Sequence, residues 1–314
     1  MDPALYLRDL EAKPATLHAL ADHIDDIEWP VTAGQRVLLA GMGSSWFAAD
    51  TAARRMRRAG ITAVADLASV EASFPPAADL VVVGITAGGG SAETLDLLRT
   101  HHGTGTTVAL TNTPGLTLPA DHTVLLHAEP ETGGVACRSY LHTLALLLRL
   151  EHQLAGTVPD LADALHAAAD ASAHLLDTRG DWLPAMTDVL GGPHGTWLLA
   201  PAERMGNALQ GALMLREGPR RAADGCETGD WSHVDVYLTK TLDYRALLFG
   251  GSRYDGAAAQ WMRDRGSRFA VVGPPTVDGA EYVLRHPGDD RPLVALLTEV
   301  LVPELLGAHW WVAG

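Results

Sequence analysis

Two stretches of small and hydroxyl-bearing residues stand where a strand hands over to a helix. The first is Gly41-Met42-Gly43-Ser44-Ser45 and the second is Thr86-Ala87-Gly88-Gly89-Gly90-Ser91. Free amides and the helix dipole favour an anion at such a turn. Ser44, Ser45, Thr86 and Ser91 can add hydroxyl donors, while Gly88 and Gly89 expose backbone. A dinucleotide fingerprint fails, because Trp46 stands where the third glycine must be. A P-loop is excluded by the missing Gly-Lys-Ser/Thr. The plainer alternative is that the glycines make tight turns and the hydroxyls cap helices.

A third stretch offers acid–base chemistry. Glu203, Asn207, Gln210, Met214 and Glu217 recur at helical spacing and share one face of a helix expected over 203–217. Glu217 stands at its end, before Gly218-Pro219. There the helix dipole disfavours a carboxylate and raises its proton affinity, as a general base near neutral pH requires. Gly211 and Ala212 allow a neighbour to pack closely, although the same face is compatible with a solvated edge.

Glu227-Thr228-Gly229-Asp230-Trp231-Ser232-His233-Val234-Asp235 crowds acids and an imidazole into a loop, a common place for a site. A metal set of Asp230, His233 and Asp235 has no second histidine nearby, so no metal and no cofactor are expected. His233 is equally compatible with a plain surface residue. Cys137 and Cys226 show no metal spacing, and a nucleophilic cysteine would need an adjacent base.

The elements that must position these residues alternate. Strands are expected over 36–40, 61–65, 80–85, 106–110 and 124–126, then again over 195–200, 244–249 and 269–272. Helices are expected over 46–59, 92–100, 139–154, 161–176, 203–217, 255–265 and 294–311, with Arg179-Gly180-Asp181 as a break. The run 80–85 is nearly all β-branched, as a strand covered on both faces should be. Two glycine-punctuated α/β cycles of similar length indicate an internal duplication. The expected division is a helical lead-in over 1–30, a first domain over 31–158, a bridging helix and linker over 159–192, and a second domain over 193–314.

Apolar residues form 47% of the 314, which suits a folded α/β protein and not a disordered chain. Lys plus Arg number 23 against 38 Asp plus Glu, and the net charge of -15 repels nucleic acid. The opening residues lack a signal-peptide core, and no run of about 18 apolar residues is uninterrupted. No membrane partner and a cytoplasmic location are therefore expected. The apolar terminal helix ending Trp310-Trp311 is expected to find a partner surface.

Six segments in register resemble the sugar isomerase (SIS) domain superfamily, and specifically the duplicated isomerase half of glutamine–fructose-6-phosphate aminotransferase. Met42-Gly43-Ser44-Ser45 is similar to that family's CGTS turn, and Thr86 to Ser91 to its phosphate loop SQSGET, followed by Glu93 and Thr94. Leu110 to Leu118 is similar to TNxxGSxL, and Pro130 to Tyr140 to PEIGVASTKAF. Leu209 to Glu217 resembles LEGALKLKE, and Gly229-Asp230-Trp231-Ser232-His233 resembles GELKH. The resemblance implies two tandem flavodoxin-like three-layer α/β/α domains, each with a mostly parallel sheet. It implies an aldose–ketose isomerase for a phosphorylated or amino sugar, a homodimer, and no cofactor. Glu217 would move the proton between C1 and C2, and His233 would assist ring opening, in its own chain or across the dimer. Glu227 and Asp230 are rival acids, and Gln210 joins the substrate-binding candidates. The alternatives are an amino-sugar phosphate deaminase or deglycase, and a non-catalytic sugar-phosphate sensor.

The departures are specific. Ala87, Gly88 and Gly90 replace the glutamine, second serine and glutamate of SQSGET, and Met214 replaces a lysine of LEGALKLKE. Position 2, where the glutaminase cysteine of the aminotransferase is required, holds Asp2, so glutamine-dependent amination is not expected.

Overall fold

In the computed structural model, which describes residues 1–71 and 73–314, two short helices come first: α1 (Pro3–Glu11) and α2 (Lys13–Ala21). Asp2 caps α1, its Oδ1 accepting from the amides of Ala4 and Leu5 at 2.9 Å each. The first sheet is then built by β1 (Arg36–Gly41), α3 (Ser44–Arg58), β2 (Ala63–Leu67), β3 (Leu80–Ile85), α4 (Ala92–His101), β4 (Thr106–Thr111) and β5 (His122–Leu125). Its order is β2-β1-β3-β4-β5, and every neighbouring pair is parallel. All six residues of β3 are buried, which explains the unbroken apolar run. α4 lies so close over it that a Cβ on Gly84 would meet Leu98 Cγ at 2.8 Å.

Three helices follow: α5 (Arg138–Ala155), α6 (Leu161–Asp177) and α7 (Arg179–Leu190). The second sheet is built by β6 (Thr196–Ala200), α8 (Met205–Glu217), β7 (Ala223–Glu227), the short α9 (Thr228–Trp231), β8 (Arg245–Phe249), α10 (Asp255–Asp264), β9 (Arg268–Val272) and β10 (Tyr282–Leu284). Two helices end the chain, α11 (Pro292–Thr298) and α12 (Leu301–Ala313). The second sheet has the order β10-β9-β8-β6-β7, again wholly parallel. Read from its other edge, this is the order of the first sheet. The two α/β cycles expected from the sequence thus build sheets of one strand order, and β8 occupies the place of β3.

The chain divides into two compact units. One comprises Ala15–Glu131 and Ala136–His166; the other comprises Met1–Pro14, Thr132–Val135 and Ala167–Gly314. The division falls inside α2 and α6.

The structure corrects several element assignments. Arg179-Gly180-Asp181 is no break but the first turn of α7, which continues through Pro184. Burial of Trp182, Met186, Val189 and Leu190 outweighs the weak helix propensity of Gly180 and Pro184. Glu203 is not on α8, because a 3-10 turn over Ala202–Arg204 precedes that helix. β2 starts two residues later than expected, and the edge strands β7 and β10 were not foreseen at all. The apolar terminal helix is two helices, parted at Glu299-Val300. Pro292–Ala313 is long and apolar enough to cross a membrane, yet 83% of its most apolar window is buried within the protein. α12 packs on α1, α7 and α8. Trp310 and Trp311 are half-covered in the same unit, by Arg221 stacked 4.3 Å from the Trp310 ring and by Tyr6 at 5.9 Å from that of Trp311.

Candidate functional site

The two turns of the first sheet start side by side. Gly41, the last residue of β1, is in register with Ile85, the last of β3. Both turns therefore leave the carboxyl edge of a parallel sheet, where ligand crevices form. Ser44 and Ser45 lie in the first turn of α3, half-buried. Gly41 must be glycine, since a Cβ there would stand 2.6 Å from Ser45 Cβ.

The second turn is organised by Thr86, whose amide donates to Leu110 O at 2.9 Å and whose carbonyl accepts from Gly89 N at 3.0 Å. Gly89 has φ +72, and a Cβ on it would meet Leu116 Cδ1 at 2.1 Å, so this position demands glycine. Gly88 and Gly90 differ: both are exposed, with nothing within 4 Å of an added Cβ. Their amides donate to no acceptor among the described residues. Ser91 is the N-cap of α4, its hydroxyl accepting from Thr94 N at 3.4 Å and donating to Glu93 Oε2 at 2.9 Å. A backbone amide and this hydroxyl hold the Glu93 carboxyl below the usual carboxylate range. The donors left for an anion are thus the open amides and the hydroxyls of Ser44 and Ser45. Ser91 does the capping that the plainer alternative assigned to it.

In the second sheet, α8 runs back over β6 and β7, and Glu217 is its last residue. Its face of Asn207, Gln210 and Met214 is buried in the core, not a solvated edge. Gly211 permits this, because a Cβ there would stand 2.6 Å from both Leu198 and Pro303. Gln210 has no exposure at all, so the structure does not bring it to any surface. Glu217 itself is half-buried and lines a shallow cavity of about 440 Å³ with Met1, Arg216, Arg220, Arg221 and Ala222. Burial pushes its carboxyl above the usual range, and Arg216 opposes the shift. The expected direction is present, with burial as its main cause.

The segment after β7 lies elsewhere. Glu227 ends that strand and caps α9, its Oε2 accepting from Asp230 N at 2.9 Å. Asp230 and His233 are exposed, while Trp231 is wholly buried, its Nε1 donating to Tyr244 OH at 2.7 Å. Glu217 closes a helix that returns to the start of the strands, whereas His233 follows the end of β7. One strand of five residues separates the two regions, about 16 Å. Asp235 sits beside Cys226, and burial raises both the carboxyl and the thiol. Among the described residues no group of three or more His, Cys, Asp or Glu is placed to hold a metal ion.

Sequence reasoning missed a second anion-type turn. β8 leads into Gly250-Gly251-Ser252 and then α10, as β3 leads into its own turn and α4. Here Asp255 Oδ2 accepts from Gly251 N at 2.7 Å and Ser252 N at 3.0 Å. Asp255 is buried, and so is Glu299, whose Oε2 lies 3.0 Å from Arg204 Nε. Burial outweighs that guanidinium and pushes the Glu299 carboxyl up to about 8. The signal was a Gly-Gly-Ser turn followed three residues later by an acid.

No protein-family model matches the chain. It is 26% identical over 311 residues to the isomerizing glutamine–fructose-6-phosphate aminotransferase of Aeropyrum pernix, covering 90% of this chain and 49% of that protein. The chain thus spans about half the length of this curated relative. Its fold is similar to the C-terminal domain of glucosamine-fructose-6-phosphate aminotransferase from Francisella tularensis, with TM-score 0.85, 16% identity, and 98% and 95% of the two chains covered. It is also similar to tagatose-6-phosphate ketose/aldose isomerase from Escherichia coli, with TM-score 0.81, 15% identity, and 100% and 95% covered. In fold the chain is thus similar to these phosphosugar enzymes, with two wholly parallel five-stranded sheets, and in sequence it resembles the isomerase half of glutamine–fructose-6-phosphate aminotransferase.

Proposed function

We propose that the protein binds a phosphorylated sugar and interconverts its aldose and ketose forms by proton transfer through Glu217. The observation that carries this reading is a half-buried carboxyl of raised proton affinity, lining a cavity, at the last position of the segment resembling LEGALKLKE. Such a group is first a competent base and then a competent acid. It takes the proton from C2 of the open-chain aldose and returns it to C1 of the enediol. The open amides of Gly88 and Gly90, with Ser44 and Ser45, are assigned the ligand's phosphate.

Ring opening is assigned to His233, an exposed imidazole able to give or take a proton at the ring oxygen. The strand that parts His233 from Glu217 supports a homodimer, in which the partner subunit's His233 serves this chain's Glu217. Light scattering should give about twice the chain mass of 33.2 kDa. A mass near that of one chain at micromolar concentration overturns the dimer.

Deuterium exchange from solvent into C1 of fructose 6-phosphate tests the reaction. Glu217→Gln should abolish exchange while leaving affinity within about tenfold. A variant retaining more than about a tenth of the rate shifts the role to Glu227 or Asp230. The engaged Ser91 hydroxyl and the bare Gly88 and Gly90 favour a second reading, a non-catalytic sugar-phosphate sensor. Clear binding without exchange selects it. Ammonia release from an amino-sugar phosphate would instead identify a deaminase.

A further inference from the structure

The cavity at the end of α8 holds more positive charge than a proton-transfer carboxylate needs. Arg216, Arg220 and Arg221 line it together with Glu217. In a chain of net charge -15, arginines readily find acids: Arg36 pairs with Asp79, Arg55 with Glu151, and Arg268 with Asp188 and Glu281. Arg216 and Arg220, exposed on the rim of this cavity, form no carboxylate ion pair among the described residues, as is also true of Arg8 and Arg291. Arg221 is anchored, its Nη2 donating to Gly192 O at 2.7 Å and its guanidinium stacked on Trp310. It forms a wall, and the other two are left available.

The backbone reinforces this arrangement. Arg220 has φ 56, a left-handed conformation that non-glycine residues rarely adopt. That turn carries the chain back towards α8, so that Arg221 N donates to Leu215 O at 3.0 Å. A glycine would serve the turn with less strain, yet a long cationic side chain stands there. Gly218 also contributes, since a Cβ on it would meet Trp311 Cε3 at 2.9 Å. Trp311 therefore packs directly onto the end of the helix.

We propose that Arg220, assisted by Arg216, binds the oxyanion that forms when Glu217 removes a proton. This rests on the isomerase reading. As the C2–H proton passes to Glu217, its electron pair enters the C1–C2 bond and the carbonyl pair moves onto O1. The resulting enediolate oxygen is an anion beside the carboxyl that has just been neutralised. A guanidinium, always charged and forked, suits it better than a compact ammonium on a flexible stem. The site therefore selects ligands that are anionic at the C1 end.

Calorimetry with two probes tests this: a sugar-acid phosphate whose carboxylate mimics the enediolate, and the alditol phosphate of equal length. Arg220→Gln should weaken the sugar acid at least tenfold and the alditol by less than twofold, and Arg220→Lys should recover part of the loss. Arg220→Gly relieves the backbone, so it should fold with an unchanged or higher Tm and show the same selective loss. Equal weakening of both probes, or of neither, overturns the proposal. If the wild type discriminates the probes through Arg220 yet exchanges no deuterium, the anion site stands and the isomerase reading fails. If the wild type exchanges and Arg220→Gln keeps its full rate, the isomerase reading stands and the oxyanion role fails.

Discussion

The turns after β3 and β8 leave equivalent strands of two sheets that share one order, and their amides meet different fates. After β3, Gly88 and Gly90 face solvent with open amides and no acid of the loop folded onto them. After β8, Asp255 places its own carboxylate on the amides of Gly251 and Ser252, and the buried Glu299 pairs with a half-buried Arg204 nearby. An anion-binding turn is thus a geometry that the chain can leave for a ligand or fill itself. The shared strand order supplies two such turns, and a single acid at the start of α10 decides which one is structural.

The largest effect expected from breaking this contrast is at Asp255. Asp255→Ala removes two hydrogen bonds to the amides of Gly251 and Ser252, for a loss of about 1–3 kcal/mol. Millimolar inorganic phosphate should restore part of the lost Tm in this variant and leave the wild type unaltered. A Tm unchanged by the substitution would show that the internal carboxylate is not structural.

Next comes Gly89→Val, which forces a β-branched side chain into φ +72 and onto Leu116. The strain is about 1–3 kcal/mol, and sugar-phosphate affinity should fall at least about tenfold as the open turn distorts. Retained affinity in a folded Val variant removes the first turn from the site.

A smaller effect appears in the pH dependence of stability. The Glu299 carboxyl is pushed up to about 8 in the folded chain, against an ordinary 4.5. Between these values the folded protein holds a proton that the unfolded chain releases, so stability falls as pH rises from about 4.5 to about 8. Glu299→Gln should flatten that slope in thermal melts at several pH values. A slope unaffected by the substitution assigns it to other groups.

The smallest effect is a gain. Gly88→Ser returns a hydroxyl to open space, and should leave Tm within about 0.5 kcal/mol of wild type. Phosphate-ester affinity should improve by about 1 kcal/mol, roughly fivefold. No improvement would mean that the loop does not contact the phosphate.

The central strands were legible because parallel strands covered on both faces need continuous apolar runs, as in 80–85 and 245–249. Edge strands were not. β7 carries Asp224 and Gly225, and β10 has only three residues. Their pairing comes from the neighbouring strand and not from their own propensity. α7 was hidden for a related reason, since Gly180 and Pro184 argue against a helix that burial of Trp182 and Met186 stabilises. At the candidate site, the raised proton affinity of Glu217 was foreseen from its place at a helix end. The packing that supplies most of it was not.

Residue type and spacing by themselves determined the two α/β cycles, the strand-to-helix turns and the acid at the end of α8, because each rests on local periodicity and on glycine's conformational freedom. Tertiary structure alone decided how each polar group is used. Ser91 caps α4, Asp255 fills the second turn, Gln210 is sealed in the core, and Arg220 lines the Glu217 cavity. A hydroxyl, amide or charge carries the same chemistry wherever it stands in sequence. Whether it meets a ligand depends on which partners arrive from elsewhere in the chain, because an unsatisfied polar group is costly to bury and takes the nearest partner the fold provides.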